Sequence, residues 1–306
     1  MANVTLTING KEVTVPSGAS VLDAAKSAGF FIPTLCHDPS SPGYGACRLC
    51  VVEIKGARNL PASCVTEATK GMVVETESPA VVEARRTIIE LLLANHPQDC
   101  LTCDKSGDCR LQEYAYLYEV RESPFKGERH DYPVETDNPY IIRDMNKCIL
   151  CGRCVRTCDQ VPDRRVIDFA YRGFDTKVAP AMDTTLGESD CVYCARCVAV
   201  CPVGALTYKH LAGRARAWEL KKRPVTCSFC DYGCEFNLLE KGGKVIGVAA
   251  RAPGVGRPLC LKGRLGMELR YVDQPLLTPT LRKDGQFVEV SWAEALGLDG
   301  VMDKLK

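Results

Sequence analysis

The apolar positions near the start of the chain alternate with polar ones, which predicts β-structure. Residues 4–8 and 13–15 alternate on either side of Asn9-Gly10, the pattern of a β-hairpin with a type I′ turn. A second pair of apolar stretches, at residues 236–239 and 245–248, flanks a Lys-Gly-Gly sequence. We therefore expect two small β-units, one near each end of the chain.

A helical spacing of apolar residues replaces this alternation in four other places. Ser20 predicts the N-cap of a short helix, and Ser78-Pro79 predicts the start of a longer one whose apolar stripe runs to Asn95. Residues 111–120 form a helical stretch with three tyrosines, which predicts a packing surface between modules. Residues 292–305 predict a last helix that could cap the final module.

Composition limits the classes of function. The chain has 306 residues, 46% of them hydrophobic, and a net charge of +1 from 39 basic and 38 acidic residues. This balance gives no indication of nucleic acid or of an anionic membrane as a partner. No apolar run approaches a membrane span, and the first ten residues lack a signal-peptide pattern. We expect a soluble, cytoplasmic protein of four or five small modules, with a polar, proline-containing surface linker at residues 121–139.

The cysteine content is the strongest single indication of chemistry. There are 19 cysteines, an odd number that argues against a complete disulfide framework, and many of them stand in C-x2-C pairs. This clustering predicts metal ligation in a reducing compartment.

Two cysteine runs with identical spacing lie in the middle of the chain. Each run reads C-x2-C-x2-C-x3-C, and a proline follows the second. This spacing is the signature of a pair of 4Fe-4S clusters in which the fourth cysteine of each run binds the other cluster. Four-cysteine zinc sites also use C-x2-C pairs, but they do not call for two tandem quartets. The predicted ligand sets are Cys148, Cys151, Cys154 and Cys201 for one cluster, and Cys191, Cys194, Cys197 and Cys158 for the other.

The first four cysteines follow the predicted hairpin and helix. Cys36, Cys47, Cys50 and Cys64 have the spacing C-x10-C-x2-C-x13-C, and the order of elements predicts a β-grasp ferredoxin domain with a 2Fe-2S cluster. The spacing differs from the plant type and resembles the start of the large iron-sulfur subunit of respiratory complex I and of its hydrogenase and formate dehydrogenase relatives. His37, next to Cys36, could be a ligand of a Rieske-type centre. Such centres use two histidines in place of two cysteines, and four cysteines are already present here, so we interpret His37 as a loop histidine.

A third site combines histidine with three cysteines. His96, Cys100, Cys103 and Cys109 follow the predicted long helix with the spacing H-x3-C-x2-C-x5-C. A histidine at a helix end is often a solvated cap, but here a fourth thiolate is missing, which favours His96 as a ligand. The motif resembles the His-ligated 4Fe-4S site of the same family. The remaining histidines, His130 and His210, have no neighbouring ligand residues and are interpreted as structural.

The last four cysteines form a quartet near the carboxyl-terminal end: Cys227, Cys230, Cys234 and Cys260. This spacing alone leaves a zinc-ribbon site open. The sequence from Cys260 through Lys262 to Arg264 resembles the entry module of molybdopterin oxidoreductases, particularly formate dehydrogenases. That resemblance implies a 4Fe-4S cluster and a position for Lys262 between the cluster and a pterin. The chain's last residues resemble the opening of a pterin-binding domain.

The predicted fold class is α+β, a multi-module iron-sulfur protein. We expect a β-grasp 2Fe-2S ferredoxin domain at residues 1–78, a helical 4Fe-4S module with one His and three Cys ligands at 79–135, and a bacterial-type two-cluster ferredoxin domain at 136–215. A small β-rich 4Fe-4S module of molybdopterin-oxidoreductase type follows at 220–275, then a truncated start of a pterin domain at 276–306. The expected cofactors are one 2Fe-2S cluster and four 4Fe-4S clusters.

The resemblance implies an iron-sulfur relay subunit of a multisubunit NAD(P)H-linked oxidoreductase, and electron-bifurcating complexes are among the assemblies it resembles. The implied partners are a flavoprotein that oxidises NAD(P)H, a small 2Fe-2S subunit of the complex I type, and a terminal hydrogenase, formate dehydrogenase or ferredoxin. No nucleotide-binding motif or substrate-converting site is visible in the chain. Two alternatives stay open: the amino-terminal part of a molybdopterin or tungstopterin formate dehydrogenase, and a zinc-stabilised scaffold protein.

Overall fold

The computed structural model describes residues 2–160, 164–227, 229–250, 260, 262–263 and 278–298. The chain divides into two compact units, at residues 1–265 and 266–306. The strands are β1 (Asn3–Ile8), β2 (Lys11–Pro16), β3 (Glu53–Ile54), β4 (Val73–Glu75), β5 (Ile141–Arg143), β6 (Ile167–Ala170), β7 (Lys177–Pro180), β8 (Leu206–Tyr208), β9 (Lys221–Thr226), β10 (Glu235–Lys241), β11 (Lys244–Ala250), β12 (Thr280–Lys283) and β13 (Gln286–Glu289).

The described helices differ in length and in how they begin. The α-helices are α1 (Val21–Ser27), α2 (Pro79–Asn95), α3 (Arg110–Leu117), α4 (Arg153–Asp159), α5 (Arg196–Val200) and α6 (Trp292–Ala295). Short 3-10 helices lie at Met145–Lys147, Gly173–Asp175, Ala181–Asp183, Lys209–Leu211 and Ala217–Glu219. The hydroxyl of Ser20 accepts a hydrogen bond from the amide of Asp23 at 3.1 Å, and Ser78 caps α2 in the same way. Both predicted N-caps are therefore confirmed.

The amino-terminal sheet has the strand order β2-β1-β4-β3, with β1 antiparallel to β2 and parallel to β4. The predicted hairpin is confirmed: Asn9 and Gly10 have φ values of 49° and 77°, as a type I′ turn requires. A buried core joins the inner face of β1 to α1, and it includes Leu6, Ile8 and Leu22.

Helix α3 carries the predicted tyrosine surface, with one correction. Tyr114 and Tyr118 are buried, whereas Tyr116 is 80% exposed. Residues four apart share a helix face, while a residue two positions away points elsewhere. The packing surface therefore uses two of the three tyrosines, and the prediction was wrong for Tyr116.

The central module is closed by pairing of its two ends, because β5 and β8 form an antiparallel pair. The hairpin of β6 and β7 lies between α4 and α5 in the sequence. The predicted surface linker is only partly a linker: Asn138 is 1% exposed, and its side-chain carbonyl accepts hydrogen bonds from the amides of Tyr140 and Ile141. The end of the segment 121–139 is thus hydrogen-bonded to the first residues of the central module.

The third sheet has the order β11-β10-β9, and Gly242 and Gly243 form the predicted turn between β10 and β11. In the second unit, β12 and β13 pair and α6 follows. The helix predicted to run to residue 305 ends at Ala295 instead. Gly297 has a φ of 66°, and the amide of Leu298 donates to the carbonyl of Ala293 at 2.7 Å, which is the glycine stop of a helix. Residues 299–305 of that prediction lie outside the described residues.

Candidate iron-sulfur sites

Two short helices present the cysteines of the central module. Helix α4 carries Cys154 and Cys158, and α5 carries Cys197, with Cys201 directly after it. The residues before the two helices, Gly152 and Ala195, both have left-handed φ values, 68° and 52°. The repeated spacing in the sequence therefore folds into a repeated local geometry.

An apolar cavity lies at the first of these sites. Its lining includes Cys148, Cys151, Cys154 and Cys201, and most of its other walls are aliphatic side chains such as Ile167 and Val203. Burial, with the Cys201 thiol nearby, raises the pKa of Cys151 to about 12. Thiols held this far from water do not ionise alone, and a bound metal centre would supply the compensating positive charge.

The second site draws on both runs. Cys197 is buried, and burial followed by its neighbours Cys194, Cys191 and Cys158 raises its pKa. The pKa of Cys148 is raised to about 11, first by burial, and Cys201 adds to the effect. Cys201 thus lies near thiols of the first run and Cys158 near thiols of the second, while Cys197 also lines the first cavity.

The four amino-terminal cysteines converge in one loop region. The thiols of Cys47 and Cys64 both hydrogen-bond to Cys36 and lower its pKa to about 2, and Cys64 also bonds to Cys50. The backbone approaches closely here: a Cβ on Gly43 would lie 2.0 Å from the carbonyl oxygen of Cys64. The pKa values of Cys36 and Cys50 are lowered and those of Cys47 and Cys64 are raised, because these thiols share hydrogen bonds. The loop leaves no room for a side chain at position 43.

His37, next to this loop, is engaged elsewhere, since its Nε2 lies 3.1 Å from Nζ of Lys26. His130 is stacked between Tyr132 and Phe174, with ring centroids 5.0 Å and 4.2 Å away. Its Nε2 also lies 2.7 Å from the carbonyl oxygen of Phe174. These contacts agree with structural roles for both histidines.

The third site is less tightly grouped. His96 is 9% exposed and its Nδ1 is buried without a hydrogen-bond partner among the described groups. Burial lowers the pKa of His96 to about 4, although Asp99 opposes the shift, so the ring is held in the neutral form that a metal ligand needs. The Cys100 thiol lies near Cys103, and the Cys103 thiol lies near Cys109. Asp99 and Lys147 lie near both His96 and Cys103 and so connect the histidine to the thiols.

At the fourth site the amide of Cys227 donates to the carbonyl of Cys234 at 2.7 Å. Cys230 and Cys260 are exposed. Burial raises the pKa of Cys260, but hydrogen bonds from the backbone at Gly263 and Lys262 outweigh it and the net shift is downward. The side chain of Lys262, predicted to face a pterin, is exposed in the structure.

Across the described ranges, no three His, Cys, Asp or Glu side chains meet closely enough to hold a single metal ion. Within the same part of the chain, no helix is both long and apolar enough to cross a membrane.

Sequence reasoning missed the residues that join these sites. Arg156 donates to the carbonyls of Cys36 and Pro42, and its guanidinium lies 4.7 Å from the centre of the Tyr44 ring. Arg153 forms an ion pair with Asp38 at 3.1 Å, and both side chains are nearly fully buried. The sequence did contain one signal for these contacts: both arginines lie inside a cysteine run, between Cys151 and Cys158.

Family models match four successive parts of the chain. They are described as a 2Fe-2S iron-sulfur cluster binding domain (residues 1–79), an NADH-ubiquinone oxidoreductase-G iron-sulfur binding region (85–124), a 4Fe-4S dicluster domain (147–205) and a molybdopterin oxidoreductase Fe4S4 domain (220–271). The prediction of a multi-module protein with 2Fe-2S and 4Fe-4S binding domains is confirmed.

Curated relatives match along most of the chain. The G 2 subunit of NADH-quinone oxidoreductase from Rhizobium meliloti is 37% identical over 95% of this chain and 34% of its own length. The HndD subunit of the NADP-reducing hydrogenase from Solidesulfovibrio fructosivorans is 47% identical over 67% of this chain and 36% of its own. The chain thus spans about a third of the length of these relatives.

A solved structure matches over a larger share of its own length. A chain of the NAD+-reducing NiFe hydrogenase in the H2-reduced state has a TM-score of 0.65 and 34% identity, with 70% of this chain and 91% of that chain covered. The chain belongs to the family of NADH-quinone oxidoreductase G-like iron-sulfur subunits, and it is related to subunits of NAD-reducing hydrogenases and to the amino-terminal region of molybdopterin oxidoreductases.

Proposed function

We propose that the chain is an iron-sulfur electron-transfer part of a multisubunit NAD(P)H-linked oxidoreductase. It would hold one 2Fe-2S cluster and four 4Fe-4S clusters, each a one-electron couple when bound. The proposed ligand sets are Cys36, Cys47, Cys50 and Cys64 for the 2Fe-2S cluster, and His96, Cys100, Cys103 and Cys109; Cys148, Cys151, Cys154 and Cys201; Cys191, Cys194, Cys197 and Cys158; and Cys227, Cys230, Cys234 and Cys260 for the 4Fe-4S clusters.

One observation supports this proposal: Cys201 lies near thiols of the first run, and Cys158 lies near thiols of the second. Cys154 and Cys158 stand on α4, and residues four apart lie one helical turn, about 6 Å, from each other along the axis. With these two cysteines assigned to different clusters, α4 would hold the two clusters at a short, fixed separation. Such an arrangement suits electron transfer between two centres and gives no advantage to a zinc scaffold.

The arginines of α4 extend this connection to the amino-terminal loop. Arg153 and Arg156 bind residues of the segment that contains Cys36 and Cys47. The chain's own residues therefore have three tasks: the thiols and His96 hold the metal, the aliphatic walls exclude water, and the arginines fix one site against another. Hydrogen bonding and burial around the ligands set the reduction potentials.

The proposed partners follow from the relatives. Because relatives of this chain are named as subunits of NADH-quinone oxidoreductase and of hydrogenases, we infer a flavoprotein that oxidises NAD(P)H and a small 2Fe-2S companion. A terminal hydrogenase, formate dehydrogenase or ferredoxin would complete the complex. The metal-ligating use of the cysteines favours a reducing compartment, the cytoplasm.

The test is reduction of the native assembly by nicotinamide cofactor. The complex is isolated without oxygen, its subunits are identified by mass spectrometry, and EPR spectra are recorded after addition of NADH or NADPH. We expect iron-sulfur signals of this chain to appear with at least one of the two cofactors. Signals that appear with dithionite but with neither cofactor would contradict the link to NAD(P)H.

The match to the molybdopterin oxidoreductase Fe4S4 domain at residues 220–271 favours a second candidate. In it the chain is the amino-terminal part of a molybdopterin or tungstopterin formate dehydrogenase, and Lys262 lies between the last cluster and the pterin. Molybdenum or tungsten in the native assembly, with reduction of the clusters by formate, would support this candidate. Its signature in this chain would be slower reduction by formate in a Lys262→Met variant.

A further inference from the structure

Lys147 occupies a junction between two of the proposed sites. Its backbone leads directly into Cys148, while its ammonium forms ion pairs with Asp99 at 2.9 Å and Asp144 at 3.0 Å. The Lys147 side chain is only 13% exposed. A lysine this well buried and doubly paired is held in one position, unlike a solvated surface lysine.

The same residue reaches the His96 site in two ways. Its backbone lies next to the His96 imidazole, a position from which it can orient a metal-ligating ring. Its aliphatic stem lies beside a thiol of that site: a Cβ built on Gly204 would lie 2.7 Å from Sγ of Cys103 and 3.3 Å from Cδ of Lys147. These two atoms are therefore no more than about 6 Å apart. The ammonium lies two bonds beyond Cδ, and its charge acts on the Cys103 thiol.

We propose that Lys147 is a positioning residue that orients His96 and raises the reduction potential of the His96, Cys100, Cys103 and Cys109 site. The inference rests on the proposed function, since it requires a cluster at this site. An added electron makes the site more negative, and a fixed positive charge nearby stabilises that reduced state. Asp99 acts in the opposite direction on the same centre.

The test is a redox titration of the anaerobically purified full chain, followed by EPR. The signal of this site is first assigned as the one that shifts in a His96→Cys variant. In Lys147→Met we expect the reduction equilibrium to become about tenfold less favourable, which is 59 mV for a one-electron couple. Lys147→Arg keeps the charge and should stay within about twofold of the wild type.

A sign reversal separates a charge effect from structural damage. Asp99→Asn removes a negative charge and should make reduction several-fold more favourable. Lys177→Met is the matched control, because Lys177 is 18% exposed and paired with Asp183 at 2.7 Å; it should leave this signal unchanged.

The outcomes distinguish the role of Lys147 from the function on which it rests. If Lys147→Met and Asp99→Asn shift the equilibrium in the same direction, or neither shifts it more than twofold, the role of Lys147 is refuted and the relay proposal stands. If Lys147→Met binds no cluster at this site, the Asp99→Asn variant decides whether charge controls the potential. More favourable reduction in that variant supports the role of Lys147, and unchanged or less favourable reduction refutes it. A wild-type chain that lacks the cluster refutes the proposed function itself.

Discussion

Arg85 offers a quantitative test of how the amino-terminal domain is fixed to α2 and α3. Its side chain is fully buried and donates to the hydroxyl of Tyr118 at 2.8 Å, to the carbonyl of Val51 at 2.9 Å and to Glu77 at 2.7 Å. One side chain thus joins α2 to the cysteine loop of the sheet domain and to α3. Replacing it by methionine keeps part of the aliphatic packing and removes every one of these bonds.

The expected loss of stability in Arg85→Met depends on which hydrogen-bond acceptors lose their donor. Val51 and Tyr118 are 4% and 6% exposed, and each buried polar group that loses its partner costs about 1–3 kcal/mol. The Glu77 side chain is 54% exposed, so water replaces its lost bond. Methionine also removes the cost of burying a charge, so we expect a loss of about 3 kcal/mol in the local stability of this junction.

Amide hydrogen exchange measures this loss, because exchange of protected amides reports the free energy of local opening. A change of about 3 kcal/mol corresponds to roughly 10²-fold faster exchange for amides at the junction, including Val52 and Ile89. The control is Arg86→Met, since Arg86 pairs at 3.1 Å with Glu119, whose side chain is 82% exposed. Such surface pairs contribute about 0–1 kcal/mol. Equal exchange rates in the two variants would refute the role assigned to Arg85.

Three further predictions concern the clusters themselves. Cys158→Ala should remove the EPR signal of the second-run cluster and spare that of the first, while Cys201→Ala does the reverse; loss of the same signal in both would refute the crossed sites. His96→Cys should retain a cluster but lower its potential, because a thiolate adds a negative charge that an imidazole lacks; an unchanged potential in a redox titration would exclude His96 as a ligand. Gly204→Ala should reduce the iron content of the His96 site, since its Cβ would lie 2.7 Å from Sγ of Cys103, whereas Gly127→Ala, with open space around it, should not.

The sequence predicted best what local chemistry decides. The Asn9-Gly10 turn and the N-caps at Ser20 and Ser78 depend on residues within one turn of chain. The module order could be predicted because cysteine spacing is itself a local pattern. The end of α6 could also have been predicted from the sequence, because glycine at position 297 is a common helix stop signal.

The contacts between modules had no such local signal. The pairing of β5 with β8 joins two strands of three residues that are far apart in the sequence, too short for a periodic pattern to emerge. The roles of Arg85, Lys147 and Arg156 depend on which backbone carbonyls and carboxylates the fold brings to them. Their charges alone predict exposed side chains, since buried lysine and arginine are rare unless they are paired.

Metal analysis of the anaerobically purified chain tests the central claim most directly. If the ligand sets are right, the protein is brown and contains about 18 iron atoms per chain, by the usual stoichiometry of one 2Fe-2S and four 4Fe-4S clusters, with negligible zinc. A colourless protein with several zinc ions and little iron would contradict the account.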